Sequence, residues 1–334
     1  MLANIYKSLD LLRWNEWYDS KLPLITACAY ELSLRRPMGF GASTFKMFTA
    51  LLFYASFVGF GYLLNDYCDW EVDCKAGKRR GIHSLSKGTA VAILVGLFVG
   101  GWLALLPYRE AGLQLAIILG FSYLVNISYS LRPLRLKERG LAGLISASVA
   151  QRALPILVFG IIWKDLGWAV LGWSTLGFLV GLRYILIHQQ EDLLTDRESG
   201  VKTFASKHLA ILPALMRIIF VSEIFDLLGV LISIAFQNPL FYYYIGLVGL
   251  YLIGYLTLYN RYIGKPSLFS YVYVPLEEVY SILLPIGLLL LLIKVQPLWA
   301  LFLPVEIAWK RRCIKQYMTL PYKWFTRKFL YKKR

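Results

Sequence analysis

The chain reads as an all-α, polytopic membrane protein of about nine transmembrane helices. Three observations carry that reading. It is 58% hydrophobic with a mean hydropathy of +0.56, and only 17% of it is charged, where a soluble domain carries about a quarter. Apolar runs of about twenty residues recur along the chain, which is the length an α-helix needs to cross the hydrocarbon core. The charged residues gather in the breaks between those runs.

Residues 1–21 read as an amphipathic lead-in. Asp10, Arg13, Glu16 and Asp19 leave no clean apolar core for a cleavable signal, and Trp14, Trp17 and Tyr18 suit the headgroup level. Residues 22–295 read as the membrane domain. Its first span runs from Leu22 to Leu34, with Pro23 in the first helical turn and Arg35-Arg36-Pro37 beyond it. The second span covers about 45–65, the third about 89–107 and the fourth about 111–130. The fifth covers about 141–163 and contains Gln151-Arg152 and Pro155, and the sixth covers about 166–189 and contains Arg183. The seventh, eighth and ninth cover about 209–236, 240–259 and 276–294. In the seventh, Arg217, Glu223 and Asp226 can pair along one helix or sit near an interface. Residues 296–334 hold a short apolar segment, Pro297 to Trp309, and a tail with ten basic residues from Lys310 to Arg334.

The formal net charge is +16. Because the Lys and Arg residues lie in loops between apolar runs, they point to topology and anionic lipid, and no nucleic-acid partner is expected. They cluster after spans two, four and six, which predicts that those loops face the cytoplasm, in the inner or plasma membrane if the source is bacterial. Cys28, Cys68, Cys74 and Cys313 have no metal-type spacing and read as free thiols.

Two acidic stretches carry the chemistry. The first is Asn65-Asp66-Tyr67-Cys68-Asp69-Trp70-Glu71-Val72-Asp73, and the second is Glu191-Asp192-Leu193-Leu194-Thr195-Asp196-Arg197-Glu198-Ser199-Gly200. Each closes a long apolar run. On a helix Asn65, Asp69 and Asp73 stack along one face with a rise of about 6 Å per step, and like charges so placed repel. Oxygen ligands crowded at a membrane boundary suit a hard divalent cation, and Mg²⁺ is commonly shared between a few carboxylates and substrate phosphates. Basic loop residues, Lys78, Arg79 and Arg80 among them, would grip the same phosphates. Arg183, like Arg152, has two readings, a structural partner or a contact to that substrate.

The two stretches resemble the paired signatures of the UbiA superfamily of intramembrane prenyltransferases, and Tyr129-Ser130 followed by Lys137 resembles that family's Tyr and Lys motif. The resemblance spans roughly residues 15–295. It implies helices around a central cavity, two Mg²⁺ ions, and transfer of a prenyl group from a prenyl diphosphate to an electron-rich acceptor in the membrane. It also implies that Asn65, Asp69, Asp73, Asp192 and Asp196 hold the magnesium–diphosphate. Lys137 would contact the diphosphate, and Tyr129 would lie near the allylic carbon. Where the family often has Arg-Pro after its first motif, this chain has Lys78-Arg79-Arg80 followed by Gly81-Ile82.

The acceptor is open: a phenol, a quinone precursor, or a sugar or glycerol phosphate. So is the prenyl length. A terpene cyclase on the same scaffold is the alternative, needing no acceptor. A cation transporter fits less well, because its acids belong near the midplane at broken helices, and here they end the spans.

Overall fold

The structure, a computed structural model, describes residues 10–75, 77–78, 80–191, 193, 203–262 and 276–310, with the backbone alone described for 255–262. All regular structure in these residues is helical. Seven helices are long and apolar enough to cross a membrane: Phe40–Cys68, Lys87–Ala104, Leu106–Ser130, Leu141–Trp163, Trp168–Glu191, Leu212–Gln237 and Leu276–Val295. The first and eighth expected spans are the 14-residue helix Leu22–Arg35 and the 22-residue helix Phe241–Tyr262. The expected boundaries hold to within a few residues because continuous apolar runs bounded by charge mark both ends.

The chain forms two compact units, residues 1–16 with 41–233, and residues 17–40 with 234–334. In the first unit, Leu141–Trp163 packs against Trp168–Glu191 and against Gly112–Ser130. Its helix is interrupted by a π-turn at Val149–Ala153, directly before Pro155. Proline has no N–H to give the carbonyl four residues back. That carbonyl, Gln151 O, accepts from the Tyr54 hydroxyl at 3.2 Å instead. Without such a donor a bare carbonyl would sit in a region where water cannot reach it.

In the second unit the same device recurs, a π-turn at Val279–Leu283 followed by Pro285. Leu284–Val295 packs along Leu22–Arg35. The apolar segment after residue 296 is a 3₁₀ turn, Pro297–Phe302, and a short helix, Leu303–Trp309. Glu306 there is buried, accepting from the Tyr30 hydroxyl at 2.7 Å and paired with Lys310 at 2.8 Å. Trp17 and Tyr18, expected at the headgroup level, are buried in protein at 1% and 8% exposure. Burying their large apolar bodies outweighs the interfacial preference.

Candidate metal–diphosphate site

Asn65 and Asp66 occupy the last turn of Phe40–Cys68, and Asp73 lies in the following helix, Trp70–Lys75. The helical hydrogen bonding continues across the join: Asp69 N–H donates to Asn65 O at 3.0 Å, and Asp73 N–H to Asp69 O at 2.8 Å. Asn65, Asp69 and Asp73 therefore share one face, as their spacing predicts.

What faces them is positive. Lys137 Nζ donates to Asn65 Oδ1 at 2.9 Å and to Asp69 Oδ2 at 2.5 Å. Arg135 Nη2 donates to Asp69 Oδ1 at 2.9 Å, and its Nε bonds Glu138. Burial works against the charge on Arg135, but its bond to Glu138 and the nearby charge of Asp69 outweigh that and hold the guanidinium above its ordinary range. Ser130 Oγ lies 3.5 Å from Asn65 Oδ1.

The turn that delivers Lys137 is held by close packing. Arg135 adopts a left-handed φ of +38°, and a 3₁₀ turn follows at Leu136–Glu138. The next helix passes so near that a Cβ at Gly143 would stand 2.6 Å from Leu136 O and 3.0 Å from Lys137 Cα. Only glycine lets the two segments meet, and that contact fixes where the ammonium points.

The remaining expected residues are distributed as follows. Lys78 is exposed, and its backbone N–H donates to Asp73 O at 2.9 Å. Arg80 is half-buried, with Nε 4.0 Å from Asp73 Oδ2. Arg79, Asp192 and Asp196 lie outside the described residues. The end of the helix leading to the second acidic stretch is tied down where Gln189 Oε1 accepts from Ala205 N–H at 3.2 Å.

Arg183 is spent elsewhere. Its Nε and Nη2 grip Glu223 at 2.7 and 3.0 Å, with the two side chains at 2% and 0% exposure. Glu223, expected to pair along its own helix, thus pairs across to the preceding span. A bidentate guanidinium–carboxylate bond is stronger and more directional than an intrahelical contact. Two contributors escaped the sequence reading altogether, Arg135 on Asp69 and Arg13 on Asp66 (3.2 Å). The left-handed backbone of each is invisible in a sequence, and only the basic loop around Arg135 hinted at either.

The donor set fits a hard cation. Asn65 and Asp69 offer oxygen only, one turn apart, and their oxygens already converge on an ammonium. Among the described residues no group of three His, Cys, Asp or Glu side chains gathers as a metal nest.

Long apolar helices, one of them ending at Asn65 and Asp66 with Lys137 and Arg135 folded over the turn that follows, define an integral multi-pass membrane protein. The model of the UbiA prenyltransferase family matches residues 24–274. The chain belongs to that family.

Solved structures share the fold. A UbiA homolog from Archaeoglobus fulgidus bound to GPP and Mg²⁺ is 15% identical, with a TM-score of 0.57 over 84% of this chain and 96% of that one. The same homolog bound to DMAPP and Mg²⁺ is 14% identical, with a TM-score of 0.56 over 84% and 99%. A structure of digeranylgeranylglyceryl phosphate synthase is 15% identical, with a TM-score of 0.56 over 85% and 98%. No curated protein sequence matches the chain.

Proposed function

We propose that this protein transfers a prenyl group from a prenyl diphosphate to an electron-rich acceptor within the membrane, releasing diphosphate. The observation that carries the reading is the convergence of Asn65, Asp69, Lys137 and Arg135 at the end of a membrane-length helix. Family membership and the fold shared with homologs holding GPP or DMAPP with Mg²⁺ support it.

In the proposed reaction the bond between the prenyl C1 and the diphosphate oxygen breaks, and its electron pair leaves with the diphosphate. The acceptor supplies the electron pair for the new bond to C1 and loses a proton. Asn65, Asp69 and Asp73, with Asp192 and Asp196, would hold Mg²⁺, which when bound stabilises negative charge on the departing diphosphate. Lys137 is the residue placed to exchange Asp69 for a phosphate oxygen, because an ammonium on a flexible stem bonds either anion. Arg135 beside it, and Arg80 near Asp73, would add positive charge that stabilises the diphosphate as the bond to C1 breaks. The Tyr129 ring would lie beside the allylic carbon, where its π-face attracts a cation. The basic loops after spans two, four and six support a cytoplasmic position for this end of the spans.

The test is to incubate the purified protein in lipid with labelled prenyl diphosphates of several lengths and Mg²⁺, with and without an acceptor pool. Prenylated acceptor, formed only when the pool is present, supports transfer. Cyclic hydrocarbon or alcohol formed without a pool would point to cyclisation. Unconsumed diphosphate under every condition would refute both.

A further inference from the structure

The segment ahead of the first membrane helix is built into the site. Arg13 Nε and Nη2 donate to the two carboxylate oxygens of Glu16 at 2.7 and 2.5 Å, and Nη1 donates to Asp66 Oδ1 at 3.2 Å. The guanidinium also lies 4.8 Å over the Tyr62 ring. Asp66 neighbours Asn65 in sequence, and its side chain is 3% exposed. Glu16 Oε1 in turn stands 3.8 Å from Arg80 Nη1, and Arg80 Nε stands 4.0 Å from Asp73 Oδ2. Charge therefore alternates from Asp66 to Arg13, Glu16, Arg80 and Asp73, hydrogen-bonded as far as Glu16 and held by charge alone beyond it.

The backbone is committed to this arrangement as well. Arg13 holds a left-handed φ of +51°, which an L-residue adopts only when its surroundings require it. Leu11 passes so close to Gly81 that a Cβ there would stand 3.0 Å from Leu11 Cα, and the Leu12 side chain would stand 3.2 Å from a Cβ at Gly59. The segment thus touches both the first-motif helix and the basic loop after it. All these residues of the lead-in precede the stretch matched by the family model.

We propose that Arg13 is a positioning residue for the diphosphate end of the site, fixing the Asn65–Asp69 helix end through Asp66 and aiming Arg80 through Glu16. The inference rests on the proposed function. A carboxylate buried beside the ligands without a counter-charge is costly, and the helix end would move to hydrate it. Arg13 supplies that counter-charge from outside the motif, much as outer hydrogen-bond partners hold metal ligands, where a substitution commonly costs about 10–100-fold in affinity or activity.

The test uses the full-length protein and its Arg13→Gln, Arg13→Lys and Glu16→Gln variants. Calorimetric titration with inorganic diphosphate in Mg²⁺ reads affinity without any reaction, and steady-state kinetics with a prenyl diphosphate separate KM from kcat. Arg13→Gln is expected to weaken diphosphate binding and raise KM by about tenfold, with kcat changed less. Arg13→Lys keeps the charge but not the fork that bridges Glu16 and Asp66, so it should recover part of that loss, and Glu16→Gln, on a half-exposed side chain, should lose a few-fold.

Parent-like diphosphate affinity in Arg13→Gln overturns the proposal, as does Arg13→Lys faring no better than Arg13→Gln. If Arg13→Gln does not fold, Glu16→Gln decides, and unchanged affinity there overturns it. A parent protein that binds no diphosphate refutes the proposed function and this inference with it. A parent that binds, with indifferent variants, refutes only the role of Arg13.

Discussion

Two acid–base clusters sit on the long helices of the first unit, and they are built for opposite ends. Arg183 and Glu223 close on each other in the protein interior, the guanidinium gripping both oxygens of the carboxylate. Asp69 and Lys137 lie at a helix end, 19% and 13% exposed, and share partners with Arg135 and Asn65. The first pair has traded its hydration for one geometry, so either member left alone becomes a buried charge. The second keeps water within reach, so its members can exchange partners at small cost. Charge within a membrane protein therefore does not mark a site by itself. What distinguishes the proposed site is that its charges keep partial access to solvent.

The largest expected difference lies in stability. Glu223→Gln should destabilise the protein by about 3–5 kcal/mol, because it strands Arg183. Thermal unfolding in detergent measures this. Replacing both partners, Arg183→Met with Glu223→Leu, should restore most of the stability. Activity retained by that double variant would separate Arg183 from the diphosphate, and activity lost in a folded double variant would return it to the site.

At the partly buried cluster the balance inverts. Asp69→Asn should lower the melting temperature less than Glu223→Gln does, while turnover falls by about 10²–10³. Asp192→Asn should do the same, and the two together should cost less than the product of the single effects, because residues acting on one group do not sum. Near-full Mg²⁺-dependent turnover in both single variants would remove the assigned ligands.

Lys137→Ala comes next, with diphosphate affinity reduced about tenfold, the scale of one charge-assisted contact. Lys137→Arg should recover part of it, and direct titration of diphosphate distinguishes the two. The smallest effect is expected at Tyr129. Tyr129→Phe keeps the ring and should stay within a few-fold of the parent, while Tyr129→Ala should lose distinctly more, as a cation–π contact worth about 0.5–2 kcal/mol would. Equal losses would assign the phenol oxygen, not the ring, to the chemistry.

The long helices were legible because their signal is local. A run of apolar residues between charged breaks needs no partner to be recognised, and Asn65, Asp69 and Asp73 share a face through the helical repeat alone. Lys137 was legible only through its resemblance to a family motif. Arg135, two residues before it, was not, since nothing distinguishes it from Arg132 or Arg139 until the left-handed turn aims it at Asp69. The repulsion expected along the Asp69 face is real in isolation, yet Lys137 and Arg135 neutralise it.

Sequence alone thus settled the all-helical membrane class, the span boundaries and the stacking of the first acidic motif, all of them consequences of short-range periodicity and of a solvent that forbids unpaired backbone. Tertiary structure decided which charge meets which. Arg13 and Asp66 lie 53 residues apart, Arg135 and Asp69 lie 66 apart, and Arg183 and Glu223 lie 40 apart. Any basic residue in those loops satisfies the same composition and the same topology. Only helix packing, with close approaches at Gly81 and Gly143, brings particular guanidinium and ammonium groups within bonding distance of particular carboxylates. Bonding distance decides which charges pair, because Coulombic attraction falls with separation and hydrogen bonding ends beyond about 3.5 Å.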